Sequence, residues 1–446
     1  MASTYLSRTP ASATNRKTWT FSAWVKLASS FTSDRVIFGA GNDGDNQTFI
    51  NFQDTQGILF SYELANVGYL INTSAVFRDV NGWYHIVLSV DTTQATDTNR
   101  VKLYVNGVQQ TFNTVVNGFP PQNADTFVNN TSAHSIGYRS WVSSSYFDGS
   151  MAHVHFIDGI QYQASDFGET DAASGIWKPI LSPSVTYGTN GFFLKFANSA
   201  SLGTDSSGNA NNFTVNGSGT QTLDTPSNVF ATINALENSY SSFTLSEGNL
   251  KAVTANYSFI RSTIGVSTGK WYMEVKCTAQ TGSSNKWQFG ISDSPTTSST
   301  NYIGANSYQY GWRGDGSTVF YNGTSASYGS SSMATGDIIG IALDLDNNKL
   351  YWSKNGTFIN SANPATNTNG FSITGASSTN TGFYHFAFGE LDGDTNFTFE
   401  TNFGNGYFGT TAVATPESDS AGIGKFEYSV PSGYYALCTK NIATYG

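Results

Sequence analysis

Charge is scarce in this chain. Asp, Glu, Lys and Arg make up 12% of its 446 residues, and no basic run occurs anywhere. A formal net charge of −10 offers nothing to a phosphate backbone, which argues against nucleic acid as a partner and disfavours an anionic membrane surface. No stretch of about 18 apolar residues is present to cross a bilayer, so membrane insertion is not expected. The opening MASTYLSRTPASATNRKTW lacks the apolar core of a secretory signal, and a product kept in the cytoplasm where it is made is expected.

Other absences narrow the chemistry. Only two cysteines occur, Cys277 and Cys438, neither near a partner with metal-ligand spacing. A buried structural thiol is expected at Cys277, with a disulfide as the alternative. There is no phosphate-binding P-loop and no Cys-His arrangement. No catalytic residue, metal ligand or cofactor is therefore assigned. Helical stripes and heptads are also missing, which leaves short strands and many turns.

What the chain does have is aromatic material, 15% of residues, and 45 glycines. The length suggests two or three domains. The clearest stretch is GDIIGIALDLDNNKLYWSKNGTF, Gly336 to Phe358. Ile339, Ile341, Leu343 and Leu345 alternate with small or charged residues, as on a strand with one buried face. Asp346-Asn347-Asn348 then turns the chain, Lys349 to Trp352 returns, and Asn355-Gly356 supplies a tight turn suited to positive φ. Similar logic makes strands of TWTFSAWVK, with Trp19, Phe21, Ala23 and Val25 inside and Thr20, Ser22, Trp24 and Lys26 outside. Gly82 to Val90 and Val101 to Val105 read as strands too, the second ending in Asn106-Gly107.

Two family resemblances rest on these residues. The hairpins at Gly336–Phe358, with Gly269 to Val275, Trp287 to Ile291 and Asn402-Phe403-Gly404 in order, resemble a SPRY domain. TFSAWVK, WYHIVLSVD, KLYVNG and Tyr146 to Met151 follow the order of laminin-G-like, or concanavalin-like, jelly rolls. His153-Val154-His155 departs from that pattern, standing where many relatives carry acidic residues. The expected fold is all-β, two concanavalin A-like antiparallel sandwiches in series with a folded β connector. Boundaries are set at 1–165, 166–240 for the connector, 241–412 for the SPRY-like sandwich and 413–446 for a tail.

A wider resemblance spans nearly the whole chain. Tyr5 to Pro10, DSSGNANNFTV, DTPSNVFATIN and Pro431 to Asn441 are similar to segments of structural proteins of tailed bacteriophages. That resemblance implies a non-enzymatic virion protein, a surface fibre, spike or decoration component. Its partners would be other virion proteins or host-surface glycans, and a homo-oligomer is expected. A surface polysaccharide depolymerase and a soluble lectin are the alternatives.

Laminarinase-like relatives of the jelly roll use an E-x-D-x-x-E strand, with nucleophile and acid/base carboxylates on one face. Glu390-Leu391-Asp392-Gly393-Asp394-Thr395 is the nearest approach, but Thr395 replaces the second Glu and a solvated acidic loop is expected. Asp43 and Asp45 with Asn42 and Asn46 form an oxygen-rich loop of the kind Ca²⁺ takes, yet Asx turns explain the same residues and are preferred. Asp205 to Asn212 and the pair Asp344 and Asp346 receive the same reading. His153 and His155 are expected to be structural or surface residues. The binding candidates are aromatics read as lying in loops beside polar groups: Tyr138, Arg139, Trp141 and Tyr146 in the first domain, and Tyr308, Tyr310, Trp312 and Arg313 in the second.

Overall fold

In the computed structural model the described residues are 4–28, 33–139, 145–172, 174–237, 243–255, 258–281, 286–298, 301–391 and 396–446. Antiparallel sheets account for almost all regular structure, and one short helix, Thr439–Tyr445, ends the chain. The chain divides into two compact units, Met1–Gln221 and Thr222–Gly446.

The first unit is a sandwich. Its eight-stranded sheet runs Phe112–Val116, Val67–Thr73, Ile58–Leu64, Asn46–Phe52, Arg35–Asp43, Ala133–Ile136, Tyr5–Arg8, Thr214–Asn216. The facing six-stranded sheet runs Phe192–Leu194, Gly149–Asp158, Thr18–Leu27, Tyr84–Asp91, Val101–Val105, Val108–Gln109. Phe21 and Phe38 stack across the gap at 4.7 Å, and Trp19 Nε1 donates to Thr126 Oγ1 at 3.0 Å. Two strands of the region assigned to the connector, Phe192–Leu194 and Thr214–Asn216, are therefore members of this unit's sheets.

Alternation on Thr18–Leu27 places Trp19, Phe21, Ala23 and Val25 in the core, as expected, but the opposite face is not wet. Thr20, Ser22, Trp24 and Lys26 are buried too, Trp24 at 3% exposure. Chain that follows the last long strand covers this face. Tyr162 and Ile160 bond Thr20 through N–H to Oγ1 at 2.9 Å and Oγ1–H to C=O at 2.9 Å, while Phe167, Trp177 and Tyr187 pack with Val87, Tyr104 and Ile157. A third layer thus sits on the six-stranded sheet.

The second unit repeats the plan. One sheet runs Thr244–Ser246, Lys251–Ala255, Asn396–Asn402, Lys270–Gln280, Ile338–Asp344, Lys349–Lys354, Thr357–Phe358, with Phe371–Ser372 and Tyr435–Ala436 attached off that path. The other runs Ser258–Arg261, His385–Glu390, Trp287–Ser292, Gln309–Arg313, Thr318–Tyr321, Thr324–Ser327. Ile339, Ile341, Leu343 and Leu345 enter the core with Trp271, Met273 and Val275, and Trp352 Nε1 donates across to Phe289 O at 2.8 Å. Here too the outer face is covered. Tyr272, Ala342 and Tyr351 lie under Phe230, Phe426, Tyr434, Ala436 and Cys438. Gly340 is required on that face, because a Cβ there would sit 2.4 Å from the Tyr272 hydroxyl.

Both Asn-Gly turns use one device. Asn106 (φ 49°) and Gly107 (φ 82°), like Asn355 (φ 47°) and Gly356 (φ 79°), adopt left-handed backbone. Asn106 Oδ1 accepts from His85 N–H at 2.7 Å, and Asn355 Oδ1 accepts from Ile338 N–H at 2.8 Å. The turn amide itself returns a bond to the same residue's carbonyl, at 2.9 and 2.8 Å respectively. Each side chain thereby locks the register of its strand pair.

Candidate functional site

Two of the first unit's predicted binding residues come together. Tyr138 follows the strand Ala133–Ile136 and Tyr146 precedes Gly149–Asp158; Phe147 N–H bonds Gly137 O at 2.8 Å and Val36 N–H bonds Ser145 O at 3.2 Å, fixing both segments. The Tyr138 and Tyr146 rings stack at 4.5 Å with 10° between planes. Tyr5 leans on Tyr138 at 4.5 Å, a member that residue chemistry alone did not single out. It stands on the strand that pairs Leu6 with Ile136. Burial and the Tyr146 neighbour push the Tyr138 phenol pKa upward. Arg139 lies with its guanidinium 4.6 Å from the Phe49 ring centroid. Burial lowers its pKa, while Asp34 and Glu63 oppose that shift. Trp141 lies outside the described residues.

The second unit's predicted cluster does not exist as a surface site. Gln309–Arg313 is an interior strand between Trp287–Ser292 and Thr318–Tyr321, not a loop. Alternation turns Tyr310 and Trp312 inward, and Trp312 is 0% exposed. Tyr310 packs near Tyr321, Phe371 and Tyr384, with its hydroxyl 3.1 Å from Thr374 Oγ1. Arg313 pairs with Asp315 and lies 5.0 Å from the Phe320 ring centroid. Tyr308 is half-buried against the core at φ 60°.

A different aromatic pair takes the surface role. Tyr435 and Tyr445 stack at 3.7 Å with 7° between planes. With Gly269, Lys270, Asp346 and Gly433 they line a depression of about 300 Å³. Lys270 Nζ lies 3.1 Å from Asp344 Oδ2. Both tyrosines were visible only as part of the tail, since the helix that carries Tyr445 back onto Tyr435 has no strong sequence pattern.

The acidic loops are turns. Asp43 Oδ1 accepts from Asp45 N–H and Asn46 Nδ2, both at 3.0 Å. Asp205 accepts from Phe193 N–H, Ser207 N–H, Ser207 Oγ and Asn211 N–H at 2.8 to 2.9 Å, which occupies both oxygens. Asp344 accepts from Asn347 N–H and Nδ2 at 2.9 Å, and Asp346 from Gly269 N–H at 3.0 Å. Among the described residues no group of three His, Cys, Asp or Glu is placed to hold a metal ion. Glu390 is fully buried, and Asp392 to Thr395 lie outside the described residues. Cys277 and Cys438 are buried free thiols.

Three of the first unit's histidines, His85, His153 and His155, lie near one another on the six-stranded sheet. Trp177 Nε1 donates to His85 Nδ1 at 2.9 Å, and Trp24 stacks on the same imidazole at 4.7 Å. Ser22 Oγ is 2.9 Å from His85 Nε2, a spacing that invites comparison with a nucleophile and its base. Because Nδ1 accepts from Trp177, the ring proton sits on Nε2 and is donated to Ser22; that tautomer cannot take a proton from the hydroxyl. Burial drives the His85 pKa down to about 3. His155 Nδ1 meets Tyr187 Oη at 2.9 Å, and burial holds its pKa well below the usual value. His153 occupies a bulge, at φ 48°, where the strand slips register against Thr18–Leu27.

Comparison with known proteins assigns both modules. A laminin-G-type family model, described as the concanavalin A-like lectin/glucanases superfamily, matches residues 2–160, and the SPRY domain model matches residues 270–379. The chain therefore carries a concanavalin A-like domain followed by a SPRY domain. Such modules fit a carbohydrate- or protein-binding role. Among solved structures, the SPRY domain of human HERC1 is similar at 13% identity over 36% of this chain and 91% of that one, with a TM-score of 0.28. The TRIM65 PSpry domain matches at 16% identity over 39% and 91%, TM-score 0.29. A heptameric SAP-like pentraxin from Limulus polyphemus matches at 12% identity over 36% and 72%, TM-score 0.27. No curated protein matches the chain.

Proposed function

We propose that this protein is a non-enzymatic binding protein that recognises its partners through stacked tyrosines rather than through an open sheet face. The observation that carries this reading is the third layer over the six-stranded sheet, which buries Ser22, Trp24 and His85 on the face where an extended saccharide would otherwise lie. Stacked tyrosines, Tyr5 and Tyr146 against the buried Tyr138 in one unit and Tyr435 and Tyr445 beside Lys270 in the other, are then the contact features. Tyrosine suits such contacts, since a ring presents apolar area and a hydroxyl at low entropic cost.

Within that role, the bacteriophage-like segments at Tyr5 to Pro10, Asp205 to Val215 and Pro431 to Asn441 support placement in a virion, as a surface fibre, spike or decoration component. Its partners are then neighbouring virion proteins or host-surface glycans. Mass spectrometry of purified particles tests the placement, and absence of the chain from them defeats it. A glycan array with the wild type and a Tyr146→Ala variant tests the contact site, with signal expected to fall in the variant. Release of new reducing ends from host polysaccharide by the purified protein overturns the non-enzymatic reading.

A further inference from the structure

The tail of the chain builds a small polar hollow at the start of the strand Lys270–Gln280. Tyr435–Ala436 pairs in parallel with Trp271 and Tyr272, a register that sets Tyr435 beside Gly269 and Lys270. The helix Thr439–Tyr445 then folds back and lays the Tyr445 ring on Tyr435 at 3.7 Å, 7° from parallel. Gly269 permits the approach, since at φ 83° it lacks a Cβ that would sit 2.3 Å from Tyr445 O. The hollow, about 300 Å³, lies at the low end of small-ligand pockets, about 300–1,000 Å³. It takes a single ring rather than a chain.

Three of its groups are held in place, and each keeps something to offer a ligand. Tyr435 occupies one face of Tyr445, which still has 38% of its surface exposed. Asp346 Oδ1 accepts from Gly269 N–H at 3.0 Å, while Oδ2 accepts from none of the described residues. Lys270 Nζ meets Asp344 Oδ2 at 3.1 Å and lies 5.8 Å from the Tyr434 ring centroid, which leaves part of its donor capacity free. Asp344 itself is spent, because its fully buried side chain also accepts from Asn347 N–H and Nδ2.

Charge and polarity select the ligand. Lys270 set against Asp344 and Asp346 leaves one net negative charge, so a phosphate or carboxylate gains no net attraction. The Lys270 ammonium beside the rings disfavours a cation. An apolar group would strip water from Lys270 and Asp346 without replacing their hydrogen bonds. An extended peptide finds no free ladder, because Trp271 and Tyr272 are paired on both sides, with Leu343 and Ala342 and with Tyr435 and Ala436. An aromatic face, a carboxylate oxygen and an ammonium are satisfied together by a neutral ring with one apolar face and a rim of hydroxyls, since each hydroxyl both donates and accepts.

We propose, resting on the reading of Tyr435 and Tyr445 as contact features, that this hollow is a subsite for one neutral pyranose ring. The C–H face of the sugar lies on Tyr445, one hydroxyl donates to Asp346 Oδ2 and another accepts from Lys270 Nζ.

Saturation-transfer NMR of the full chain with the methyl glycosides of glucose, galactose and mannose tests it. At least one is expected to take up saturation, most strongly at the C–H protons of one ring face. Asp346→Asn keeps an acceptor for Gly269 N–H but replaces the free oxygen with a donor, and is expected to weaken binding about tenfold with an unchanged melt. Tyr445→Ala is expected to abolish binding, and Val253→Ser, at an exposed position of the same unit, to leave it unchanged. The uronic acid counterpart of the bound hexoside is expected to bind more weakly. A folded Asp346→Asn variant with wild-type affinity overturns the proposal, as does tighter binding of the uronide. Absence of transfer to every hexoside also overturns it; a glycan-array signal that still falls in Tyr146→Ala then keeps the wider tyrosine-contact reading, whereas no effect of either tyrosine variant on any contact defeats both. Hexosides without transfer, together with Lys270 shielded from acetylation in assembled particles, overturn it in favour of a protein contact.

Discussion

Both units close the outer face of one sheet with irregular chain, but they line the closure with opposite chemistry. In the first, the covering segment is held on neutral imidazoles: Trp177 donates to His85, and Tyr187 bonds His155. In the second, the tail is held on a carboxyl group: Glu274 accepts from Glu427 N–H at 2.8 Å and Tyr428 N–H at 2.9 Å. Each group is buried, and desolvation favours the neutral form in both cases, which lowers a histidine pKa and raises a glutamate pKa. One architectural solution therefore gives two pH responses of opposite sign.

The comparison is broken most severely by removing an apolar support of the second closure. Phe426 is fully buried and meets Tyr272 edge-on at 5.0 Å. Phe426→Ala is expected to cost about 3–5 kcal/mol, read as a lower denaturation midpoint for the second unit alone.

Acid sharpens the contrast. His85 and His134, both buried, fall to about 3 and about 4 in the folded state from 6.5. Folded values below the unfolded one mean that their contribution is complete above pH 6.5 and is lost as pH falls. At pH 5 each costs the fold about 2 kcal/mol relative to neutral pH. The first unit should therefore melt before the second in mildly acidic calorimetry, and merged or reversed transitions would show that the imidazoles are not the acid-sensitive groups.

Glu274 works the other way. Burial raises it to about 7 from 4.5, against the pull of the two tail amides. Its contribution is complete below pH 4.5 and is lost as pH rises through 7, a change on the order of 3 kcal/mol. In a Glu274→Gln variant the second unit's stability should be flat over that window, where the wild type slopes downward; hydrogen exchange resolved by unit reads the difference.

The smallest effect belongs to the Trp177 bond. Trp177→Phe keeps most of the packing but leaves His85 Nδ1 without its donor, a loss of about 1–3 kcal/mol for an unpaired buried acceptor. Exchange should rise first in the covering residues around Phe167 and Tyr187, rather than in the Thr18–Leu27 strand.

Much of the scaffold was legible because strand chemistry is local. The alternation from Ile339 to Leu345 and the Asn-Gly turns at Asn106 and Asn355 depend on near neighbours, and the structure places them as the pattern implies. Tyr310 and Trp312 were misread because Ser, Gly and Asn crowd around a strand of only five residues, so the segment looks like a loop. Thr20, Ser22 and His85 were hidden for another reason. A polar face roofed by hydrogen-bonded chain has the same composition as a face exposed to water.

By itself, the sequence determined an all-β chain with tight Asn-Gly turns and little charge, since these follow from periodicity, turn chemistry and composition, and its resemblance to two families implied the two sandwich modules. Tertiary structure alone decided which faces are closed, which tyrosines meet and which titratable groups lose their water. Those outcomes depend on segments far apart in the chain, Trp177 on His85 and the tail on Glu274, and no local pattern encodes a contact between distant residues.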